Sequence, residues 1–140
     1  MTEYFAVWQN LAADRSFELD RLVDSAGELR VELSDDAGQK IVIRFDSHLC
    51  YRRMDEGDAL NTVRDLAATV GTVKVFYRAQ KSDFLDWFHV QSQGIYLDRA
   101  LQHFAICTIH DIIDVIAFKM PDMDVGGQPV PGGDAQTQAR

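Results

Sequence analysis

The chain of 140 residues lacks the features of a membrane or secreted protein. No apolar run approaches the ~20 residues that a membrane-spanning helix needs. Its first residues contain no basic stretch followed by a long apolar one, so we expect no signal peptide and a cytoplasmic location. The only two cysteines, Cys50 and Cys107, lie in apolar, strand-like segments. In a reducing compartment such residues are expected to be free, buried thiols.

The short motifs that mark many enzymes and metal sites are also missing. The chain contains no GxxxxGK, GxSxG, HExxH or GxGxxG motif, and no Cys and His residues at zinc-ligand spacing. We therefore predict no cofactor and no metal ion. The glycine pairs Gly126–Gly127 and Gly132–Gly133 do not precede a helix, so they do not predict a phosphate-binding loop.

Basic residues are few. The chain has 14 of them against 22 acidic residues, a net charge of −8. Only three of the acids and one arginine lie from Pro121 onwards, so residues 1–120 still carry a net charge of −6. A field of this sign repels phosphate backbones and anionic membranes. We therefore expect neither a nucleic acid nor a membrane as partner, and consider a basic protein the best candidate.

Proline is missing from residues 1–120. The last 20 residues contain all three prolines and four of the nine glycines, and large apolar side chains almost vanish there. This composition is typical of a flexible segment. We predict a single domain at residues 1–120, whose core draws on the 46% of apolar residues in the chain, and a flexible tail at 121–140.

Strand alternation is clear in the first half of the chain. In residues 28–34, Leu29, Val31 and Leu33 alternate with polar residues, and residues 39–46 alternate in the same way. A period of two is that of a strand with one buried face, so these segments predict a hairpin. Further strands are predicted at 48–54, as the third strand of a meander, at 73–78, and at 104–109 and 112–118, which are apolar on both faces.

Two segments have the period of a helix instead. In residues 55–70 apolar side chains recur at helical spacing, and Gly71 is suited to end that helix. Ser82 can cap a shorter helix. Residues 4–13 fit a helix, and residues 17–23 fit a strand or a further helical turn. The expected fold class is α+β, with a single, mostly antiparallel sheet of five to six strands and two to three helices packed on it.

The stretch YRRMDEGDAL places three carboxylates and two arginines at the junction of a predicted strand and a predicted helix. Asp55 fits the N-cap position, and Glu56 and Asp58 would then lie at the positive end of the helix dipole. In this interpretation the three carboxylates have a purely structural role. The alternative is a metal or acid/base cluster, for which further ligands would have to come from other parts of the chain.

A second group of titratable residues is formed by His110, Asp111 and Asp114, which offer a base, an orienting acid and a second carboxylate. These residues could serve a small hydrolase or transferase, or His110 and Asp111 could form the turn of a hairpin. Cys107 could be a nucleophile only if exposed, and its isoleucine neighbours favour burial.

The predicted helix after Ser82 has a dense aromatic face formed by Phe84, Trp87 and Phe88. These side chains most simply belong to the core. Alternatively, Trp87 and Phe88 line a cavity between the sheet and the helices, which would make the chain a small-ligand-binding α+β domain.

Three segments occur in order within residues 28–118: "IRFDSHLCYRRMDEGDAL", "KSDFLDWFHVQSQGI" and "HFAICTIHDIIDVIAF". Together they resemble a group of small bacterial proteins encoded beside polymorphic or contact-dependent toxins. The resemblance implies an immunity protein, which neutralises its cognate toxin by binding it. It maps no catalytic residue onto this chain.

The function expected from the sequence is therefore that of a non-enzymatic, acidic protein that neutralises a basic toxin or effector by direct binding. An acidic face steers association with a cationic surface, and buried aromatic residues add lasting affinity. A homodimer through an edge strand is compatible with this function. The residues expected to bind the partner are all acidic: Asp35, Asp36, Asp55, Glu56, Asp58, Asp83 and Asp86.

Overall fold

The computed structural model describes residues 3–9, 16–70 and 75–130, and within these ranges the chain forms ten strands and two helices. The strands are β1 (Tyr4–Gln9), β2 (Phe17–Ser25), β3 (Glu28–Asp35), β4 (Lys40–Phe45), β5 (His48–Asp55), β6 (Phe76–Lys81), β7 (Gln102–Cys107), β8 (Asp111–Ala117), β9 (Asp122–Val125) and β10 (Gln128–Val130). The helices are α1 (Leu60–Val70) and α2 (Asp83–Gln91).

The strands pair in antiparallel fashion and form two sheets of five strands each. The front sheet has the order β1-β6-β7-β8-β5, and the back sheet has the order β10-β9-β4-β3-β2. Buried apolar residues from both sheets form one continuous core. The fold is therefore a mostly β sandwich of two facing sheets.

The alternation seen in the sequence decides which face of each strand enters this core. Val31 of β3 and Ile43 of β4 lie opposite each other, and both are fully buried. The ring of Phe45 in β4 lies 5.7 Å from the ring of Phe104 in β7, a contact between the two sheets. The buried residues of this core are Phe17, Leu29, Val31, Leu33, Ile41, Ile43, Phe45, Val75, Phe76, Phe104, Ile106, Ile113, Val115, Ala117 and Met123.

The predicted α+β fold, a single sheet with helices packed on it, is wrong. The hairpin of β3 and β4 is present, but β5 does not continue it as a meander. Instead β5 pairs with β8 in the front sheet, where Arg52 lies opposite Asp114. Alternation along a segment identifies a strand and its buried face, but it does not identify the neighbouring strand. For this reason the division into two sheets could not be predicted from periodicity.

The N-terminal segment is a strand where a helix was expected. Tyr4–Gln9 forms the edge strand β1, whose Phe5 and Val7 belong to an apolar cluster on the outer face of the front sheet. Aromatic and β-branched residues favour such a pleated surface. Residues 10–13, the rest of the expected helix, lie outside the described residues.

Part of the segment that was expected to be a flexible tail forms the paired strands β9 and β10. β9 pairs with β4, and Arg44 Nη1 donates a hydrogen bond to Asp124 Oδ2 at 2.7 Å. This hydrogen bond lowers the pKa of the Asp124 carboxyl. Met123 meanwhile places its side chain in the core. Composition alone could not predict that an apolar residue and an ion pair would fix this proline- and glycine-rich segment. Residues 131–140 lie outside the described residues.

The first helix begins later than the sequence indicated, at Leu60. Asp55 is the last residue of β5 and not the helix N-cap. Its Oδ1 accepts a hydrogen bond from Gly57 N at 2.8 Å, and its carbonyl accepts one from Asp58 N at 3.0 Å. Asp55, Glu56 and Asp58 thus belong to a turn between β5 and α1, and none of them lies in the first turn of the helix.

The second helix is capped as predicted. Ser82 Oγ accepts a hydrogen bond from Leu85 N at 2.9 Å, so one of the free N–H groups of the first turn is satisfied. Gly71, which was predicted to end α1, lies outside the described residues.

The outer face of the front sheet is partly covered by α1. A second apolar cluster lies beneath this helix, built from Phe5, Ala59, Leu66, Tyr77, Ala105, Cys107 and Ile112. Asp65 accepts a hydrogen bond from Glu3 N at 2.8 Å, and Thr69 accepts one from Phe5 N at 3.3 Å. These bonds satisfy backbone groups that an edge strand would otherwise leave free.

The described residues include both cysteines and two helices, for which the sequence made predictions. Cys50 and Cys107 are free thiols, as predicted. Cys107 is buried, whereas Cys50 is only partly buried, and burial raises the pKa of both thiols. Neither helix formed by the described ranges is long and apolar enough to cross a membrane.

Candidate functional site

A group of polar side chains is buried on the outer face of the front sheet. Residues of β7 and β8 alternate between the core and this face, so that Phe104 enters the core and His103 points outwards. Asp114 in β8 has the same orientation as His103 and lies diagonally across from it, since Asp114 is paired with Ala105. α2 packs over this position, and both His103 and Asp114 are buried beneath it.

Three hydrogen bonds connect this group. His103 Nε2 lies 2.7 Å from Asp114 Oδ1, and His103 Nδ1 lies 2.6 Å from Ser82 Oγ. Arg52 Nε donates to Asp114 Oδ2 at 2.8 Å. Burial acts to raise the pKa of the Asp114 carboxyl, but the hydrogen bond to His103 and the charge of Arg52 outweigh it, and the pKa is lowered. Asp114 is therefore an ionised carboxylate inside the protein.

Ser82, His103 and Asp114 have the connectivity of a catalytic triad, but the surroundings of Ser82 argue against nucleophilic catalysis. A triad nucleophile must be accessible to a substrate carbonyl. Ser82 is buried, its Oγ already accepts the N-cap hydrogen bond, and the ring of Phe84 lies 5.4 Å from the His103 ring. The hydrogen-bond chain therefore anchors the start of α2 on the front sheet.

Glu3, just before β1, extends this buried group towards the surface. Glu3 is 5% exposed, its Oε2 accepts a hydrogen bond from Phe84 N at 3.4 Å, and the same oxygen lies 3.7 Å from His103 Nδ1. Burial raises the pKa of the Glu3 carboxyl, and the neighbouring His103 opposes this effect only in part. Glu3 is therefore a carboxyl that bears a desolvation cost.

A cleft of about 350 Å³ opens beside Glu3. It is lined by Glu3, Arg52, Met54, Asp58, Ala59, Leu60, Asn61, Thr62 and Asp83. Three of these residues are acidic and one is basic. The charge of that basic residue, Arg52, is already engaged by Asp114, and its guanidinium lies over the Phe84 ring at 4.2 Å. The carboxylates of the cleft are therefore in excess.

The structure brings some of the sequence-predicted binding residues together. Asp58 and Asp83 line the same cleft although they come from different parts of the chain. Asp55 and Glu56 lie in the turn that precedes Asp58, and Asp86 lies on α2 one turn after Asp83. Asp55, Glu56 and Asp86 are thus near these two acids in the chain but are not among the residues that line the cleft.

Asp35 and Asp36 lie elsewhere, at the end of the β3–β4 hairpin in the back sheet. Asp35 is buried, and its Oδ1 accepts hydrogen bonds from Ala37 N at 3.0 Å and Gln39 N at 2.8 Å. Its carboxylate thus holds the turn, a common role for Asp. Asp36 is exposed in the same turn and is not among the cleft residues.

The grouping of His110 with Asp111 and Asp114 does not form in the structure. Asp114 contacts His103 and Arg52, and Asp111 pairs with Arg53. His110 is an exposed residue of the turn between β7 and β8, which was the alternative interpretation.

The aromatic residues of α2 divide between the interior and the surface. Phe84 is buried and stacks on Trp87, with ring centroids 5.8 Å apart, while Trp87 itself is 50% exposed. Phe88 stacks on Tyr96 at 5.7 Å, beyond the end of the helix. Trp87 therefore presents a face to the surface of the protein, and neither Trp87 nor Phe88 lines the cleft.

A second groove, of about 220 Å³, lies on the outer face of the back sheet. Its charged residues pair with one another: Arg30 lies 3.6 Å from Glu28 and 3.9 Å from Glu32, and Arg21 lies 3.8 Å from Glu32. Acidic and basic side chains are balanced in this groove. Within residues 3–9, 16–70 and 75–130, no group of three or more His, Cys, Asp or Glu residues is arranged to hold a metal ion.

Sequence reasoning missed Glu3 and His103. His103 carried a usable signal, because a histidine in a strand that is apolar on both faces must be buried and must find a partner. Glu3 carried none, since its segment was expected to start a helix. Comparisons with protein-family models, curated proteins and solved structures give no match for the chain.

Proposed function

We propose that the chain is a non-enzymatic binding protein whose acidic cleft on the front sheet receives a basic protein partner. The observation that carries the proposal is the lining of the cleft: among the described residues, Glu3, Asp58 and Asp83 face one cation, Arg52, whose charge is already engaged by Asp114. A cationic side chain from a partner would complete the balance of charge in the cleft. By contrast, a phosphate or carboxylate ligand would meet an excess of like charge.

The lining of the cleft supports a lysine or arginine side chain as the group that enters it. Such side chains carry a cation on an aliphatic stem. Met54 and Leu60 line the cleft and are 37% and 69% exposed, so they offer apolar contact for the stem. Asp58 and Asp83 offer carboxylates for the charged head group. Both acids are exposed in the free protein, so they can also steer a basic partner towards the cleft.

A partner of this kind fits the resemblance to immunity proteins encoded beside bacterial toxins. We propose accordingly that the partner is a basic toxin or effector domain, neutralised when the acidic protein covers its cationic surface. The rigid front sheet supports this role, because Ser82, His103, Asp114 and Arg52 fix α2 and β5 on either side of the cleft before binding. Preorganisation of this kind lowers the entropy cost of association.

The proposal is tested with a lysine-rich peptide and, where a gene adjacent to that of this chain encodes a basic protein, with that protein. The double variant Asp58→Lys and Asp83→Lys is compared with the wild type in a binding titration at low and at physiological salt. We expect at least about a tenfold loss of affinity in the variant, and a weaker dependence of association rate on salt. When each is co-expressed with the basic protein, the wild type should protect the host better than the double variant does.

The matched control is the double variant Glu18→Lys and Asp122→Lys. Both residues are exposed acids of the back sheet, so the net charge of the protein changes by the same amount. The control should bind nearly as tightly as the wild type. Equal losses in the two double variants would mean that only net charge matters, and the cleft would then not be the binding site.

A further inference from the structure

The surface formed by α2 and the turns after it has an unusual composition. Its exposed apolar side chains are Trp87, Val90, Ile95 and Leu97, at 50%, 78%, 67% and 70% exposure. Single exposed apolar residues are common in proteins, but a group of four within a short stretch of chain marks an interaction surface. We refer to these four residues as the α2 patch.

The members of the α2 patch belong to α2 and to the turns that directly follow it. Trp87 and Val90 are three residues apart in α2 and so share one face of the helix. After the helix the chain folds back through successive turns, in which Ser92 N bonds to Phe88 O and Leu97 N bonds to Gly94 O. The Tyr96 ring stacks on Phe88, which fixes Ile95 and Leu97 at the C-terminal end of α2.

Acidic side chains predominate around the α2 patch, and the guanidinium of the neighbouring Arg99 lies over the Phe118 ring at 4.4 Å. Residues 83–98 include Asp83, Asp86 and Asp98 and contain no lysine or arginine. All three acids are exposed, and Asp83 and Asp86 each lie four residues before a member of the patch. Two copies of this surface would bring their carboxylates together, and an anionic membrane would repel them. Charge therefore selects against a homodimer and against a lipid surface.

From this combination we propose that the α2 patch docks a basic amphipathic segment of the partner protein, with the apolar side of that segment on Trp87, Val90, Ile95 and Leu97 and its lysines or arginines on the flanking aspartates. The inference rests on the proposed function and names the second half of the same interface. Asp83 connects the two halves, because it is both the first residue of α2 and part of the cleft. Apolar anchors surrounded by complementary charge are typical of helix-in-groove and helix-on-helix recognition.

The docking is tested with a defined probe, a fluorescently labelled amphipathic helical peptide built from leucine and lysine. A peptide in which glutamate replaces every lysine and another in which serine replaces every leucine are the probe controls. We expect the full-length wild-type protein to bind the leucine–lysine peptide at least about tenfold more tightly than either control peptide. Equal binding of the glutamate peptide, or no binding of the leucine–lysine peptide, would overturn the proposal.

The double variant Val90→Ser and Leu97→Ser tests the patch itself. Both side chains are more than two-thirds exposed, so their replacement leaves the fold intact, and circular dichroism checks this. We expect at least about a tenfold loss of affinity for the leucine–lysine peptide. Ile109→Ala, at a 43%-exposed residue of the β7–β8 turn, is the matched control and should bind as the wild type does.

Failure of this inference can be told apart from failure of the proposed function. If Val90→Ser with Leu97→Ser binds the peptide normally while Asp58→Lys weakens binding of the basic partner, the cleft stands and the α2 patch is not a docking surface. If the patch variant weakens binding of both peptide and partner while Asp58→Lys has no effect, the α2 patch stands and the cleft is the part to be abandoned.

Discussion

The groove on the back sheet and the cleft on the front sheet are each lined by acidic and basic side chains, yet their charges are arranged differently. In the groove, Arg21 and Arg30 pair with Glu28 and Glu32 at 3.6 to 3.9 Å across exposed strand surfaces. Among the described residues that line the cleft, the one arginine is engaged by a buried aspartate, and the carboxylates face solvent or are buried with a desolvation cost.

This comparison distinguishes charged side chains that pair with one another on the surface from acidic side chains that remain available to a partner. Exposed pairs such as those in the groove contribute little to stability and leave no excess charge for a partner to neutralise. The buried pairs beside the cleft hold β5, β7, β8 and α2 in place, so their loss should be costly. The uncompensated acids of the cleft are then held on a rigid frame.

The largest effect that tests this difference is expected at Asp114. Asp114→Asn removes the ionised partner of both Arg52 and His103, and we expect a loss of about 3 kcal/mol in the free energy of unfolding near neutral pH. Glu32→Gln, the same carboxylate-to-amide change in the groove, should cost less than about 0.5 kcal/mol. Urea unfolding of both variants measures the comparison, and similar losses would remove the distinction between the two faces.

The pH dependence of the stability difference between the wild type and Asp114→Asn provides a further test. The pKa of Asp114 is lowered in the folded protein, so its stabilisation is present above the ordinary pKa of about 3.9 and is lost as pH falls through the lowered value. The wild type and Asp114→Asn should therefore converge in stability only at strongly acidic pH. A constant difference down to the lowest pH that can be measured would mean that packing, not ionisation, explains the loss.

The next effect in size is expected at Ser82. Ser82→Ala removes the N-cap of α2 and the hydrogen-bond partner of His103 Nδ1, and we expect a cost of about 2 kcal/mol. Ser92→Ala is the control at the other end of the helix, where Oγ only donates to the Phe88 carbonyl, and it should cost roughly 0.5 kcal/mol. Equal costs would indicate that the buried chain through His103 adds nothing to the cap.

The smallest expected effect is a gain in stability, at Glu3. Because burial raises the pKa of Glu3, folding stability contributed by this group is fully present below the ordinary pKa of about 4.3 and is lost as pH rises through the raised value. We expect Glu3→Gln to be more stable than the wild type near neutral pH, by less than about 1 kcal/mol, and to lose this advantage at acidic pH. Destabilisation at neutral pH would mean that attraction to His103 outweighs burial.

The sequence predicted individual strands better than their arrangement. The β3–β4 hairpin and the doubly covered strands β7 and β8 follow from alternation and from continuous apolar runs, which are local properties. The pairing of β5 with β8 and of β9 with β4 joins segments far apart in the chain. No local pattern encodes such a pairing, and so the two-sheet sandwich was not predicted.

The candidate site was predictable in part for the same reason. Asp58 and Asp83 were chosen because acids at loops and helix starts are exposed, which is a local argument. That they share a cleft depends on how β5 and α2 are placed on the front sheet. The local argument fails for Asp35. Its carboxylate accepts hydrogen bonds from backbone N–H groups of its own turn and is therefore not available to a partner.

The most direct test of the binding surface is a two-dimensional NMR titration of the labelled protein with the basic partner that the binding titration identifies. We predict chemical-shift changes confined to the cleft and the α2 patch, with the largest in residues 58–62 and 83–97. Residues 21–32 of the back-sheet groove should not shift. Shifts centred on that groove, with the cleft unchanged, would contradict the account.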